Sequence, residues 1–305
     1  MNNLIQHIFE KIEELSPIHA KKLKKNLAGF DDLYYERANA FLHKYNQFLM
    51  KNDKTMDYAI DCYLKMNADM LAETIDFAHT GKYSSSKFEE VNKRVYANPE
   101  TMAYYMHGLL LSQFLWKHHY QVYDYYINTL PTYATQVKNY LEIGAGHGLF
   151  ISKAIEILDP QTRFTVVDVS PTSIDLAKNF IEEGRIHFIL SDILDFSEES
   201  CYDFVSMGEV LEHVEEPLQL LEKIRIMLTP EGTVFVTTPT NAPSIDHIYL
   251  FRNVKEIQAL IHEAGFEIVS EQHFLTEDVS LERAEKLNVS IMYGAFLKKR
   301  KTNIS

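Results

Sequence analysis

The sequence is short of cysteine, proline, glycine and tryptophan, with 2, 9, 11 and 1 in 305 residues. The two thiols, Cys62 and Cys201, stand far apart and in no paired motif. That excludes a disulfide framework and a cysteine-ligated zinc site, and it fits a reducing, cytoplasmic setting. No apolar run reaches the roughly 18 residues that span a bilayer, so no membrane partner is expected. The first residues, "MNNLIQHIFEKIEELSP", lack the basic start, apolar stretch and small-residue cleavage site of a signal peptide. Leu4, Ile8, Ile12 and Leu15 instead recur at helical spacing. Positive charge is also scarce: 30 Lys and Arg stand against 43 Asp and Glu, a net charge of −13. The deficit is one-sided, because residues 1–135 hold 15 basic and 16 acidic groups and the remainder 15 and 27. An acidic C-terminal half is a poor surface for a phosphate backbone, so no nucleic-acid partner is expected. The basic run Lys21, Lys22, Lys24, Lys25 is local and reads as a solvated helix face.

With 46% hydrophobic and 24% charged residues, the chain reads as soluble and globular, long enough for one large domain or two ordinary ones. Residues 1–135 carry helix signals almost throughout and predict an all-α domain or cap, through which two copies are expected to pair. Asn98-Pro99-Glu100 is a strong helix start, with a cap, a first-turn proline and an acid at the positive end. The helix it opens is expected to run to about Asn128. Its Tyr105, Leu109, Trp116 and Tyr120 stripe reads as core, and His118 and His119 as surface or cap residues. From residue 136 on, strands alternate with helices. Strands are expected at 138–143, 163–168, 186–190, 203–207, 233–238, 267–272 and 291–298. Helices are expected at 149–158, 171–183, 217–228 and 253–264. The last two strands have no helical pattern between them and are expected to pair antiparallel. The fold class is therefore α/β: a seven-stranded, mostly parallel, Rossmann-like sheet with an antiparallel last strand, preceded by the helical domain. Ligands of such a sheet bind at the carboxyl ends of its strands.

Glycine is scarce overall, yet three lie within five residues of "LEIGAGHGLF", at Gly144, Gly146 and Gly148. A triphosphate loop needs Gly-x4-Gly-Lys-Ser/Thr, and there is no lysine here. A dinucleotide fingerprint needs its third glycine at position 149, which is Leu149. The next strand ends "FTVVDVS", with Asp168 at its tip, where an acid can accept both hydroxyls of a ribose. The following one ends "FILSDI", which places Asp192 to meet the exocyclic amine of a base. "YDFVSMGEVLEHVEEP" and "LTPEGTVFVTTPT" come next.

In that order these segments resemble the class I S-adenosylmethionine (SAM)-dependent methyltransferases over residues 137–298. The resemblance implies SAM as cofactor. It places Glu142 and the loop Gly144, Ala145, Gly146, Gly148 against the methionine part, and Asp168 with Val169 at the ribose. It places Ser191, Asp192 and the amide of Ile193 at the adenine, and Met207 and Glu209 beside the methyl group. Residues 1–135 carry no comparable resemblance and read as a substrate cap.

Methyl transfer to a hydroxyl needs an aligned nucleophile and a place for its proton. Glu209, Glu212 and His213 share a face if "GEVLEHV" is a helical turn, and Asp246 and His247 follow the fifth strand. The spacing resembles the metal-binding segment of ubiquinone-type O-methyltransferases and of small-RNA 2′-O-methyltransferases. That resemblance implies a divalent cation (Mg, Mn or Fe) on Glu209, Glu212, His213 and His247, a donor set suited to such ions. The alternative is a general base at His213 or His247, with Glu209 beside it. Tyr105, His107 and Asp246 are the expected acceptor contacts. The function expected is methylation of a small, partly apolar or aromatic metabolite in small-molecule biosynthesis, with O-methylation first. Methylation of RNA or protein, and a non-catalytic SAM-binding partner role, are the rival readings.

Overall fold

The computed structural model describes residues 4–181 and 183–301. The chain begins with α1 (Leu4–Leu15), α2 (Pro17–Leu27), α3 (Asp32–Lys51) and α4 (Met56–Thr80), then a short α5 (Phe88–Val91) and one π-helical turn, Asn92–Tyr96. The starts of α3 and α4 follow from their caps. Asp31 accepts from the Tyr34 amide and Thr55 from the Tyr58 amide, and α4 stops at Gly81, whose φ of 65° favours glycine. Next come α6 (Pro99–Leu115) and α7 (Lys117–Thr129). As expected, Asn98 caps α6 by accepting from the Glu100 and Thr101 amides.

Helix α6 buries residues on every side, from Met102 through Leu115, and so forms the axis of the helical region. It approaches α4 closely at Gly108, where a Cβ would lie 2.9 Å from the Met66 Cβ and 3.3 Å from the Cys62 carbonyl. Gly108→Val should therefore cost ~1–3 kcal/mol through overpacking. Thermal unfolding of the variant checks this, and an unchanged midpoint refutes it.

The single helix expected from 99 to about 128 is two helices. Trp116 is extended (φ −104°, ψ 126°), and its indole Nε1 donates to the Tyr63 hydroxyl at 2.7 Å. The anchored indole breaks the helix and lets α7 turn away from the helical core. Val122, Tyr125, Tyr126 and Leu130 then pack on the sheet with Phe235 and Phe296.

The sheet region runs β1 (Asn139–Ile143), α8 (Leu149–Ile157), β2 (Arg163–Asp168), α9 (Pro171–Ile181), β3 (Ile186–Leu190), β4 (Tyr202–Gly208), α10 (Pro217–Met227), β5 (Leu228–Thr240), α11 (Val254–Glu263), β6 (Phe266–Leu275), α12 (Leu281–Leu287) and β7 (Ile291–Lys299). Strand order is β3-β2-β1-β4-β5-β7-β6, with β7 antiparallel to both neighbours. All seven expected strands are present, and β5 and β6 run longer than expected. The expected helix 171–183 is seen to Ile181; Glu182 lies outside the described residues. Helix α12, capped by Ser280, interrupts the last hairpin and was not expected. Strand order reverses beside β1, where the carboxyl ends of β1 and β4 open a crevice. The helical region covers that crevice. Its core continues into the sheet region through Leu149 and Phe180, against Phe41 and Phe114. Among the described residues, no helix is long and apolar enough to cross a membrane.

Candidate active site

One cavity of about 1500 Å³ lies between the helical region and the carboxyl ends of the strands. The glycine loop forms part of its wall. Gly144, Gly146 and Gly148 have φ of 75°, 49° and 76°, so the loop needs residues free of a Cβ penalty. Asp168, at the tip of β2, accepts from the Gly146 amide (3.3 Å) and the Ser170 amide (2.7 Å), tying the two loops together. Burial nevertheless pushes its carboxyl up to about 6. Burial raises Glu142 further, to about 8, although it accepts from the Tyr140 hydroxyl and the Ile151 amide. Ala145, Val169, Ser191, Asp192 and Ile193 also line the cavity.

A raised carboxyl pKa means the folded state holds a proton that the unfolded state releases, so stability present below the unfolded value is lost as pH rises through the folded value. For Glu142 that window runs from the ordinary carboxyl value of 4.5 to about 8. Below about pH 6.5 the buried neutral histidines titrate in the opposite sense. The ligand-free chain should therefore melt at lower temperature at pH 8.5 than at pH 6.5, and Glu142→Gln should flatten the slope. An equal slope in the variant removes Glu142 as the cause.

Two expected residues lie elsewhere. Met207 is fully buried and does not line the cavity. The alternation of β4 turns it with Val205 into the core beneath the sheet, and Ser206 and Gly208 face the cavity instead. His107 is also outside the cavity. It is buried in the helical core, with the Tyr45 hydroxyl 2.6 Å from Nδ1 and the Lys54 Nζ 3.3 Å from Nε2. Tyr105 and Asp246 do line the cavity, and Tyr105 Oη is 2.5 Å from Ser244 Oγ and donates to Asp246 at 3.2 Å.

Beyond β4, "GEVLEHV" forms one short turn, Leu211–His213, and the segment after β5 folds back over it. The Ile248 and Tyr249 amides both donate to the Glu212 carbonyl, at 2.8 and 2.9 Å. Donor atoms of Glu212, His213 and His247 thereby lie within 4.8 Å of one another. His247 Nδ1 is 2.5 Å from the Ala242 carbonyl, which fixes the N–H there and leaves the Nε2 lone pair free. Glu212 Oε2 accepts from Thr238, while Oε1 is buried without a hydrogen bond among the described residues, 3.7 Å from His213 Nε2. An orphaned buried carboxylate oxygen facing two imidazoles fits a cation.

Glu209 does not complete that set. Its carboxylate accepts from Thr237 Oγ1 at 2.7 Å and contacts the Glu212 carboxyl. The expected group of four is thus three candidate ligands with Glu209 beside them. Glu209 itself sits at φ 54°, a strained conformation held by its amide donating to the Thr237 carbonyl. Burial pushes both carboxyls above the ordinary range, reinforced by the charge of Asp246 at Glu209 and by those of Glu209 and Asp246 at Glu212. Burial also raises Asp246, but His213, His247 and the Ser244 and Tyr105 hydroxyls outweigh it and leave Asp246 low. Burial, then neighbouring His213, lowers His247 to about 4.

Tyr96 and Tyr83 were missed in the sequence because both sit in segments without a motif. The π-helical turn carries Tyr96 over the site, where its hydroxyl is 2.9 Å from His213 Nδ1. Its carbonyl accepts from Ser170, two residues past Asp168. Tyr83 accepts from the Ala242 amide and edges the His247 ring. The π-turn, a feature frequent at functional sites, is recognisable only in three dimensions. If Tyr96 orients His213, Tyr96→Phe should lower turnover roughly tenfold with SAM affinity unchanged. Steady-state kinetics beside calorimetry test this, and full activity in the variant refutes it.

Comparison with known proteins identifies the family. A family model described as a methyltransferase domain matches residues 115–271, just over half of the chain. The chain is 30% identical over 115 residues to a ubiquinone biosynthesis O-methyltransferase of Xanthomonas campestris pv. campestris, covering 34% of this chain and 44% of that protein. It is 31% identical over 106 residues to the mitochondrial ubiquinone biosynthesis O-methyltransferase of Schizosaccharomyces pombe, covering 33% and 38%. The chain thus spans less than half the length of these curated relatives. The crystal structure of the N-methyltransferase NodS from Bradyrhizobium japonicum, in complex with S-adenosylhomocysteine (SAH), superposes with a TM-score of 0.51 at 18% identity, covering 71% of this chain and all of that one. Given a family match over more than half its length, the chain belongs to the methyltransferase-domain family, the class I SAM-dependent methyltransferases.

Proposed function

We propose that this protein transfers a methyl group from SAM to a hydroxyl of a small, partly apolar acceptor, and that a divalent cation assists. The observation that carries this reading is the continuity of the cavity. Its about 1500 Å³ joins the glycine loop and Asp168 to His213 and His247, behind which Glu212 is fully buried. A single ligand pocket has ~300–1,000 Å³, so this space suits a cofactor and an acceptor together. The names of the O-methyltransferase relatives support oxygen as the acceptor atom.

Asp168 holds the ribose, Ser191, Asp192 and the Ile193 amide surround the adenine, and the glycine loop with Glu142 takes the methionine part. Bound there, SAM supplies an electrophilic methyl on a sulfonium. Glu212, His213 and His247 would hold Mg, Mn or Fe, which as a Lewis acid lowers the pKa of an acceptor hydroxyl. Glu209 and Glu212 cannot both ionise unless a positive charge lies between them, so they retain a proton in the cation-free state. Leu109, Met102 and Phe88 of the helical region give the acceptor an apolar wall and exclude water. Pairing of two copies through the helical region belongs to the same reading, and a sedimenting species of 35.4 kDa would remove it.

The deciding experiment is mass spectrometry of a metabolite pool incubated with the protein and SAM. A species heavier by one CH2, formed together with SAH, is the expected result. SAH release only with RNA or protein added would overturn the small-molecule assignment.

A further inference from the structure

We propose that the cavity contains an anion subsite at the junction of α2 and α7, and that the acceptor carries an anionic group, a carboxylate, phosphate or sulfate, which docks there. The proposal rests on the reading of the cavity as a shared cofactor and acceptor site.

Carboxylates line the cavity at several strand ends, among them Glu142, Asp168, Asp192 and Glu209, and at Glu277 beside α2. A basic group stands on α2 and α7. Lys22 and His19 on α2, and Lys117, His118 and His119 in the first turn of α7, all line the same cavity. They form one group. His19 Nε2 and Trp116 Nε1 meet at the Tyr63 hydroxyl, at 2.8 and 2.7 Å. The Trp116 ring lies 5.6 Å from that of His118 and 4.7 Å from that of His119. After burial, the charge of Lys22 is the next influence lowering both His19 and His118.

Three features of this group suit an anion. Helix α7 starts without a side-chain cap and without an acid in its first turn, so the positive end of its dipole is open beside these residues. His118 makes no hydrogen bond with any described residue, although burial holds it neutral and its imidazole can donate one. Lys117 has no carboxylate partner among the described residues. Lys22 is paired with Glu277 at 2.7 Å, but both side chains are about half exposed. Such pairs contribute roughly 0–1 kcal/mol, so an incoming anion displaces Glu277 at little cost.

The body of the acceptor follows from the lining between the two ends. Leu64, Leu71, Leu109 and Met292 line the same cavity. The ligand class is thus an apolar body with the methylated hydroxyl at one end and an anion at the other. The methionine carboxylate of SAM is the other source of an anion near this wall, because His147 of the glycine loop influences His119. Lys22 and His19 belong to α2 rather than to the loop region, which favours the acceptor.

The test uses the full chain saturated with SAH, with phenyl phosphate and phenol as probes in calorimetric titrations. Phenyl phosphate should bind at least about tenfold more tightly than phenol, and added salt should reduce the difference. A Lys22→Ala, Lys117→Ala double variant, both sites being exposed, should fold normally and lose that preference while SAH affinity stays constant. His118→Phe, which keeps a ring in place, should lose part of it. Equal binding of the two probes to the native chain overturns the proposal. So does an unchanged preference in the double variant. A parallel loss of SAH affinity would assign the group to the cofactor carboxylate and overturn it as well, without touching the methyl-transfer reading.

Discussion

Glu212→Gln should reduce methyl transfer by roughly 10²–10⁴-fold while leaving SAH binding nearly intact. Glu212 is the pivot of the cluster. One carboxylate oxygen is fixed by Thr238, the other is buried without a hydrogen bond among the described residues, and the imidazoles of His213 and His247 face it. The amide keeps the shape but loses the charge a cation requires. If a cation is held, chelation should abolish turnover, added Mg, Mn or Fe should restore it in the native chain, and His247→Ala should be as severe as Glu212→Gln. Glu209→Gln should be milder, since Glu209 lies beside the three ligands rather than among them. If a histidine acts as base instead, activity survives exhaustive chelation and one histidine dominates. Elemental analysis of the purified chain separates the cases, and full activity without any metal would remove the cation from the mechanism.

Asp168→Ala should weaken SAH by more than the ~1 kcal/mol of an ordinary hydrogen bond, because two ribose hydroxyls lose a charged acceptor. Calorimetry reads this directly. The same carboxylate also accepts from the Gly146 and Ser170 amides, so the alanine variant additionally loosens the glycine loop. Asp168→Asn separates the contributions: it retains an oxygen for the amides and loses the charge. SAH binding unchanged in both variants, or NADH bound as tightly as SAH, would refute the assignment. Because burial sets the Asp168 carboxyl at about 6, SAH affinity should also fall as pH drops below that value.

Much of this molecule is written locally. The alternation of apolar runs with helical stretches fixes all seven strands, because strand and helix periods depend on near neighbours. The three glycines, each at positive φ, and Asp168 at a strand tip declare the cofactor loop, because left-handed backbone and strand ends are local properties. What near neighbours do not determine is where a side chain points once elements pack. Met207 and His107 read as site residues and are core, turned away by the pleat of β4 and by the Tyr45 and Lys54 contacts. Glu209 has metal-ligand spacing, but the turn at Leu211–His213 and its own strained φ aim it at Thr237. The break at Trp116 depends on Tyr63, and Tyr96 meets His213 across 117 residues. The sequence by itself therefore determined the fold class and the cofactor loop. Only the tertiary structure decided which side chains form the candidate ligand cluster and the shape of the cavity, because those depend on contacts between residues far apart in the chain.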